Sequence, residues 1–217
     1  ELTISEAIEN LVGSAFDDEI RARLLSVSRT IDGGDHDSGD ELVVDADQAA
    51  MDVFAPTVTA TGYGTISYAN IETIRIENAG SVATTAIAPD DTFPDVFEVV
   101  RQGSDVTVTT NGVSVLVTPY DASLHLVIEG SSDDDTLIVD LNGDSPLAGQ
   151  VDFNAGGQQS AAGDQVQILG DGTSSVTFTA DAASLNSGTI DFGSYELAFT
   201  SVEGIFVSQL ASLTVVP

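Results

Sequence analysis

The chain has 217 residues, with 35 Asp plus Glu against five Arg and no Lys, for a formal charge of -30. That balance speaks against nucleic acid as a partner, because phosphate neutralisation needs a cationic footprint, and against anionic membrane surfaces. The absence of Cys excludes a disulfide framework, a thiolate metal site and a cysteine nucleophile.

Taken in chain order, a helical period shows only near Ser5–Ser28, and Gly13-Ser14 interrupts it. A short helix around Asp17–Ser28 is the one helical reading available. Strand signals dominate everything after it. Glu41–Asp45, Asp105–Thr110, Val113–Thr118, Leu124–Ile128, Thr136–Asp140 and Ser175–Thr179 are short and rich in β-branched residues. Gly, Asp, Asn and Ser bound them, as strands require. Asn111-Gly112 lies between two alternating runs and reads as a tight hairpin turn. No apolar run reaches the roughly 18 residues of a membrane span, so no membrane insertion is expected. The chain starts at Glu1 without Met, which reads as a piece of a longer, processed protein.

The sequence repeats itself. One element is apolar-x-x-apolar, usually with Glu second: Ile8-Glu9-Asn10-Leu11, Ile71-Glu72-Thr73-Ile74, Val202-Glu203-Gly204-Ile205 and the degenerate Leu124-His125-Leu126-Val127. A second is a glycine turn ending in Asp-x-apolar, from Gly13 to Asp18-Glu19-Ile20 and from Gly130 to Asp135-Thr136-Leu137. A longer variant runs from Gly33 to Asp40-Glu41-Leu42 and from Gly156 to Asp164-Gln165-Val166. Corresponding elements recur 117 and 123 residues apart. The expected organisation is a first unit over 1–95, continuing from an upstream copy, and a second over 96–217, with one continuous β domain as the alternative. Short strands with one apolar face bury it by packing against the next turn of the chain. The expected fold class is all-β, a parallel β-helix or solenoid-like repeat segment, with an antiparallel β-sandwich as the alternative.

The acidic clusters suit Ca²⁺, which takes six to eight oxygen ligands from carboxylates, carbonyls and water. The richest group is Asp32, Asp35, Asp37 and Asp40 around Gly33-Gly34. Next are Asp133, Asp134 and Asp135 with Asp140. Asp18 with Asp17, Asp164 with Asp171, and Asp90-Asp91 follow. The competing readings are turn-capping aspartates facing water, salt adaptation and simple solubility.

The two seven-spaced glycine elements resemble the hemolysin-type (RTX) calcium-binding nonapeptide, with Asp18 and Asp135 at its ligand position and Ile20 and Leu137 at its apolar position. The stretch 8–20 and the units containing GDELVVD and SSDDDTLIVD are similar to degenerate repeats of large secreted bacterial surface proteins. The resemblance implies a secreted or cell-surface location, Ca²⁺-stabilised β-structure and a structural or adhesive role. No catalytic or organic-cofactor motif is present, and an enzyme is not expected. Two alternatives stand beside the structural segment. One is a self-assembling filament subunit, whose strands at Glu1–Ile4 or Leu213–Pro217 cross to neighbouring copies. The other is a carbohydrate-active β-helix acting on polysaccharide. The expected partners are Ca²⁺, neighbouring copies or other surface proteins, and polysaccharide.

Overall fold

The computed structural model describes residues 2–4, 8–35, 39–54, 56–79, 81–87, 93–142, 144 and 149–217. Among them there is no helix; the chain is all-β, in two mixed sheets that do not close on themselves. It starts as a simple alternation. β1 (Leu2–Ile4) lies in the first sheet and β2 (Asn10–Val12) in the second. β3 (Glu19–Arg23) returns to the first, β4 (Arg29–Asp32) to the second and β5 (Glu41–Asp45) to the first. Each strand pairs in parallel with the previous one in its own sheet.

Three meanders interrupt the alternation. β6 (Ala50–Phe54), β7 (Thr57–Ala60) and β8 (Ile66–Ala69) run up and down in the second sheet, with β8 beside β4. β9 (Thr73–Glu77) and β10 (Ser81–Ile87) resume the alternation. β11 (Val96–Gln102), β12 (Asp105–Thr110) and β13 (Val113–Pro119) then form a meander in the first sheet, with β13 beside β9. β14 (His125–Glu129), β15 (Thr136–Asp140), β16 (Gln150–Asn154) and β17 (Gln165–Leu169) alternate again. β18 (Ser175–Asp181), β19 (Ser184–Asp191) and β20 (Glu196–Thr200) form the third meander, and β21 (Gly204–Ser208) and β22 (Ser212–Val216) end the two sheets. Outside the meanders every pairing is parallel.

Period-two patterning builds this directly. Strands such as Thr136–Asp140 and Gln165–Leu169 alternate half-buried and buried positions along their length, because successive side chains leave opposite faces. In the first sheet the inward residues line up across eight of the ten strands, from β3 to β17: Ile20, Leu42, Ile74, Leu116, Val108, Val99, Val139 and Ile168 are register partners in turn. All are buried, and the inward faces of both sheets share one core. Phe97 of β11 and Phe153 of β16 meet across it edge to face, 6.5 Å apart at 64°.

The expected hairpin is present. Asn111 (φ 53°) and Gly112 (φ 79°) join β12 to β13, both in the positive-φ conformation that such a two-residue turn demands. The helical reading of Asp17–Ser28 is overturned. Glu19–Arg23 is a strand, held between β1 and β5, with Ile20 and Ala22 buried. Tertiary pairing outweighs the weak local period there. The mixture of parallel pairing and antiparallel meanders means that neither a purely parallel nor a purely antiparallel order describes the sheets.

Candidate functional site: an acidic corner

One residue before each of seven strands of the first sheet is an acid. Asp18 precedes β3, Asp40 β5, Glu72 β9, Asp95 β11, Asp135 β15, Asp164 β17 and Glu203 β21. In each case the second residue after the acid is apolar and turned towards the core. These acids follow one hydrogen-bonding rule. The N–H of Asp18 donates to Asp40 Oδ1 (2.6 Å), and that of Asp40 to Glu72 Oε2 (2.7 Å). Further along, the N–H of Asp95 donates to Asp135 Oδ1 (2.9 Å), that of Asp135 to Asp164 Oδ1 (2.7 Å) and that of Asp164 to Glu203 Oε2 (2.8 Å). Each carboxylate thus satisfies a backbone donor of the neighbouring strand entry, which would otherwise be buried unpaired. The meander β11–β13 breaks the series, and Asn111 fills the gap: its Nδ2 donates to Asp95 Oδ1 (2.6 Å), and its Oδ1 accepts the Val96 N–H (3.0 Å).

The glycine turns close on this corner. The Ser14 N–H donates to Asp18 Oδ2 (2.5 Å), and the Ser131 N–H to Asp135 Oδ2 (2.6 Å). A side chain at Gly130 would place its Cβ 2.2 Å from the Ala155 carbonyl oxygen and 2.8 Å from Asp135 Oδ2, so the turn admits only glycine. Gly13 has the same relation to the Gly33 carbonyl and Asp18. The motif therefore has a complete structural explanation, and both Asp135 oxygens are spent on N–H groups.

Burial makes this corner unusual. Asp40, Asp95, Asp133, Asp135 and Asp164 are all at most 2% exposed. The loop after β16 closes over the part of the corner before β15: Gln159 Nε2 donates to Asp133 Oδ1, and the Gln159 and Ser160 N–H groups donate to Asp134 Oδ1 (2.7 and 2.9 Å). Asp133, Asp134, Asp135 and Asp164 are thereby brought together. Burial pushes the Asp164 carboxyl up to about 7; the N–H of Asp135 pulls it down, and the charges of Asp135, Glu203 and Asp134 add to the rise. Asp164 Oδ2 is buried without a hydrogen-bond partner among the described residues. In contrast, its neighbour Asp134 is held below the usual range by Ser160.

The arginines lie elsewhere. Arg21 pairs with Glu19 (2.7 Å) and Glu77 (3.2 Å), Arg75 with Glu41 (2.8 Å) and Asp105, and Arg23 with Asp45. These pairs sit on the outer face of the first sheet. Arg101 rests 3.6 Å over the Tyr120 ring. Among the described residues no cationic side chain pairs with Asp135 or Asp164.

The other expected residues separate. Asp32 Oδ1 accepts the Gly34 N–H (3.1 Å) and Asn70 Nδ2 (2.8 Å), a turn role. Asp35 is exposed, and Asp40 belongs to the corner instead. Asp37, His36, Asp90 and Asp91 lie outside the described residues. Asp140 caps the Asn142 N–H, and Asp171 caps Thr173 and Ser174, whose bonds hold its carboxyl far down. His125 faces Asp152 across the second sheet at 2.8 Å. Tyr195 is buried against Phe192. Among the described residues no three His, Asp or Glu side chains are arranged as a ready metal cage.

Glu72, Asp95 and Glu203 were not among the expected site residues. The acid-x-apolar pattern at each strand entry marks them, but it is short and hidden among 35 acids. The two elements read as different repeats share this corner at Glu72 and Glu203, whereas Glu9 precedes β2 and His125 opens β14, both strands of the second sheet.

Fold and corner together define an all-β chain of two open, mixed sheets with buried carboxylates at the strand entries of one of them. No family model and no curated protein matches the chain. Among the described residues no helix is long and apolar enough to cross a membrane.

Proposed function

We propose that this chain is a structural segment of an extracellular surface or matrix protein, a solenoid-like stack whose acidic corner is stabilised by divalent cations, Ca²⁺ foremost. The observation that carries this reading is the pair Asp135 and Asp164. Both are fully buried in adjacent strand entries, with no cationic side chain beside either among the described residues. Like charges buried together raise each other's proton affinity, and a cation relieves the same repulsion as a proton does. Asp164 Oδ2 is the oxygen of the pair without a hydrogen-bond partner among the described residues, and the half-buried Asp134 beside it adds a second negative charge facing such an ion. Carbonyls of the covering loop add the neutral ligands that Ca²⁺ accepts. The remaining acids at the corner serve the backbone, which is a structural rather than a catalytic use. An adhesive role fits the long outer sheet faces, and the reading is of a non-enzymatic protein.

Thermal unfolding tests it. The metal-stripped protein is melted in EDTA, then with CaCl₂, with MgCl₂ and with NaCl at matched ionic strength. A ligand at a hundredfold its Kd stabilises by about 2.7 kcal/mol. The expected result is a rise in Tm of several degrees with CaCl₂ alone. An equal rise with NaCl would assign the acidity to salt screening and remove calcium from the account.

A further inference from the structure

We propose that Asn111 is a self-modification site: its side-chain amide is converted to a carboxylate by the backbone nitrogen of Gly112, and the conversion releases the entry of β11 from the acidic corner. The turn lies well inside the first sheet, where β12 and β13 each have a strand on both sides. Both reactants are in place. An Asn-Gly step lets the following nitrogen reach the side-chain carbonyl carbon most readily, because glycine has no Cβ in the way. Gly112 is exposed, and a Cβ there would meet nothing within 4 Å. Its N–H has no hydrogen-bond partner among the described residues, so the nitrogen is not committed to the sheet.

In the reaction the Gly112 nitrogen attacks Asn111 Cγ, and the Cγ–Nδ2 bond breaks with loss of ammonia to leave a five-membered imide. One water then opens the ring. Opening at Cγ gives aspartate; opening at the backbone carbonyl gives isoaspartate, whose main chain is one carbon longer. The balance is amide plus water to carboxylate plus ammonium, with no redox step. What holds the reaction back is equally specific. Asn111 Nδ2 donates to Asp95 Oδ1 (2.6 Å), Asn111 Oδ1 accepts the Val96 N–H (3.0 Å), and the Asn111 N–H donates to the Val96 carbonyl (2.8 Å). The amide is pinned to the entry of β11, and the attack waits for these bonds to open. The rate in the folded chain is therefore scaled by the population of a local opening.

Once the amide is gone, the turn no longer closes in the same way. The donor towards Asp95, itself only 2% exposed, has become a carboxylate. Two carboxylates facing each other at a buried site repel, and neither supplies the missing hydrogen unless one takes up a proton. Asp95 gives its own N–H to Asp135 Oδ1, so the disturbance falls on the buried series of acids. The isoaspartate product also lengthens a two-residue turn whose φ angles of 53° and 79° fit its present length. The modification acts in one direction: it turns a transient opening of the corner into a permanent one.

This goes beyond the cation-stabilised segment and does not depend on it, so the test is run in EDTA. The folded chain and the same chain in urea are held at mildly alkaline pH, and peptide mass mapping follows conversion of Asn111 to aspartate and isoaspartate. The expected result is conversion in both, slower in the folded chain by about tenfold to a thousandfold, as a local opening gives. Asn111→Asp mimics the aspartate product, and Asn111→Gly removes the amide without adding charge while keeping a residue suited to the turn. The Asp variant is expected to unfold at lower urea than the Gly variant, and its Asp95 and Val96 amides to exchange at least about tenfold faster than those of the Gly variant. Both differences are expected to vanish in acid, where the facing carboxylates are protonated. No conversion in the folded chain, equal rates in the folded and unfolded chains, or an Asp variant as stable as the Gly variant overturns the proposal. Should Asn111→Asp fail to fold at neutral pH, its recovery in acid and the wild-type rates decide it.

Discussion

The backbone N–H of Asp135 donates to Oδ1 of Asp164 at 2.7 Å, across 29 positions of sequence, with both residues fully buried. The bond joins the entries of two neighbouring strands and holds a carboxylate where water cannot reach it. It satisfies a backbone donor at the cost of burying charge. The same donation from a strand-entry N–H to the next strand's carboxylate recurs at Asp40 with Glu72 and at Asp164 with Glu203, where the accepting glutamates are half-buried and exposed and the charge stays near water.

Asp164 gives the corner a pH dependence whose sign is fixed. Its carboxyl is pushed up to about 7 in the folded chain, against about 3.9 in an unfolded one. The folded state therefore holds the proton more tightly, so the stabilisation is complete below about 4 and is lost as pH rises through about 7. In EDTA, stability is expected to fall over that window more steeply in the wild type than in Asp164→Asn, by up to about 1.4 kcal/mol per pH unit. Asparagine keeps an oxygen for the Asp135 N–H. Denaturant titrations at several pH values check this, and parallel pH profiles for the two proteins would contradict it.

Gly130→Ala is expected to cost at least about 1–3 kcal/mol, because its Cβ would lie 2.2 Å from the Ala155 carbonyl. Gly157→Ala is the control. Its nearest neighbour would be 3.5 Å away, and a loss there below about 1 kcal/mol is expected. Urea midpoints compare the two directly; equal losses would mean that the turn does not depend on close packing.

Arg29 is 4% exposed, and none of its three guanidinium nitrogens has a hydrogen-bond partner among the described residues. Burial lowers its pKa from the usual arginine value. Replacing an uncompensated buried cation with an apolar side chain of similar length relieves a desolvation penalty. Arg29→Met is expected to raise stability by about 1–4 kcal/mol. A lower unfolding midpoint for this variant would show that the guanidinium has a partner in solution.

Phe97 and Phe153 connect the two sheets through the core. Either change to Ala is expected to cost about 3–5 kcal/mol. A double-mutant cycle should return about 0.5–1.5 kcal/mol of coupling between the rings. Strictly additive losses would mean that each ring packs independently.

Much of this was written in local sequence. Glu41–Asp45, Asp105–Thr110 and Thr136–Asp140 are strands over the expected residues, and Asn111-Gly112 is the expected turn. Those features depend on alternation and on turn residues, which act over a few positions. The acidic corner was half legible. Asp18, Asp40, Asp135 and Asp164 carried a glycine signal, whereas Asp95 follows Pro94 with no glycine turn before it. Its kinship with the others appears only when β11 pairs with β15. Asp35 lay in the densest acidic run and stays in solvent, because charge density in a sequence does not say which carboxylates a neighbouring strand will cover.

The sequence alone determined that the chain is all-β and acidic, and where many of its strands and glycine turns lie, because side-chain alternation and backbone freedom are properties of neighbouring residues. Only the tertiary structure decided which strands pair. The turn Asp181-Ala182-Ala183-Ser184 reverses the chain with neither glycine nor asparagine, so no Asn-Gly type of signal marks the first reversal of the third meander. Sheet order and the burial of Asp135 beside Asp164 both follow from segments far apart burying apolar faces together, a balance that no single stretch of chain contains.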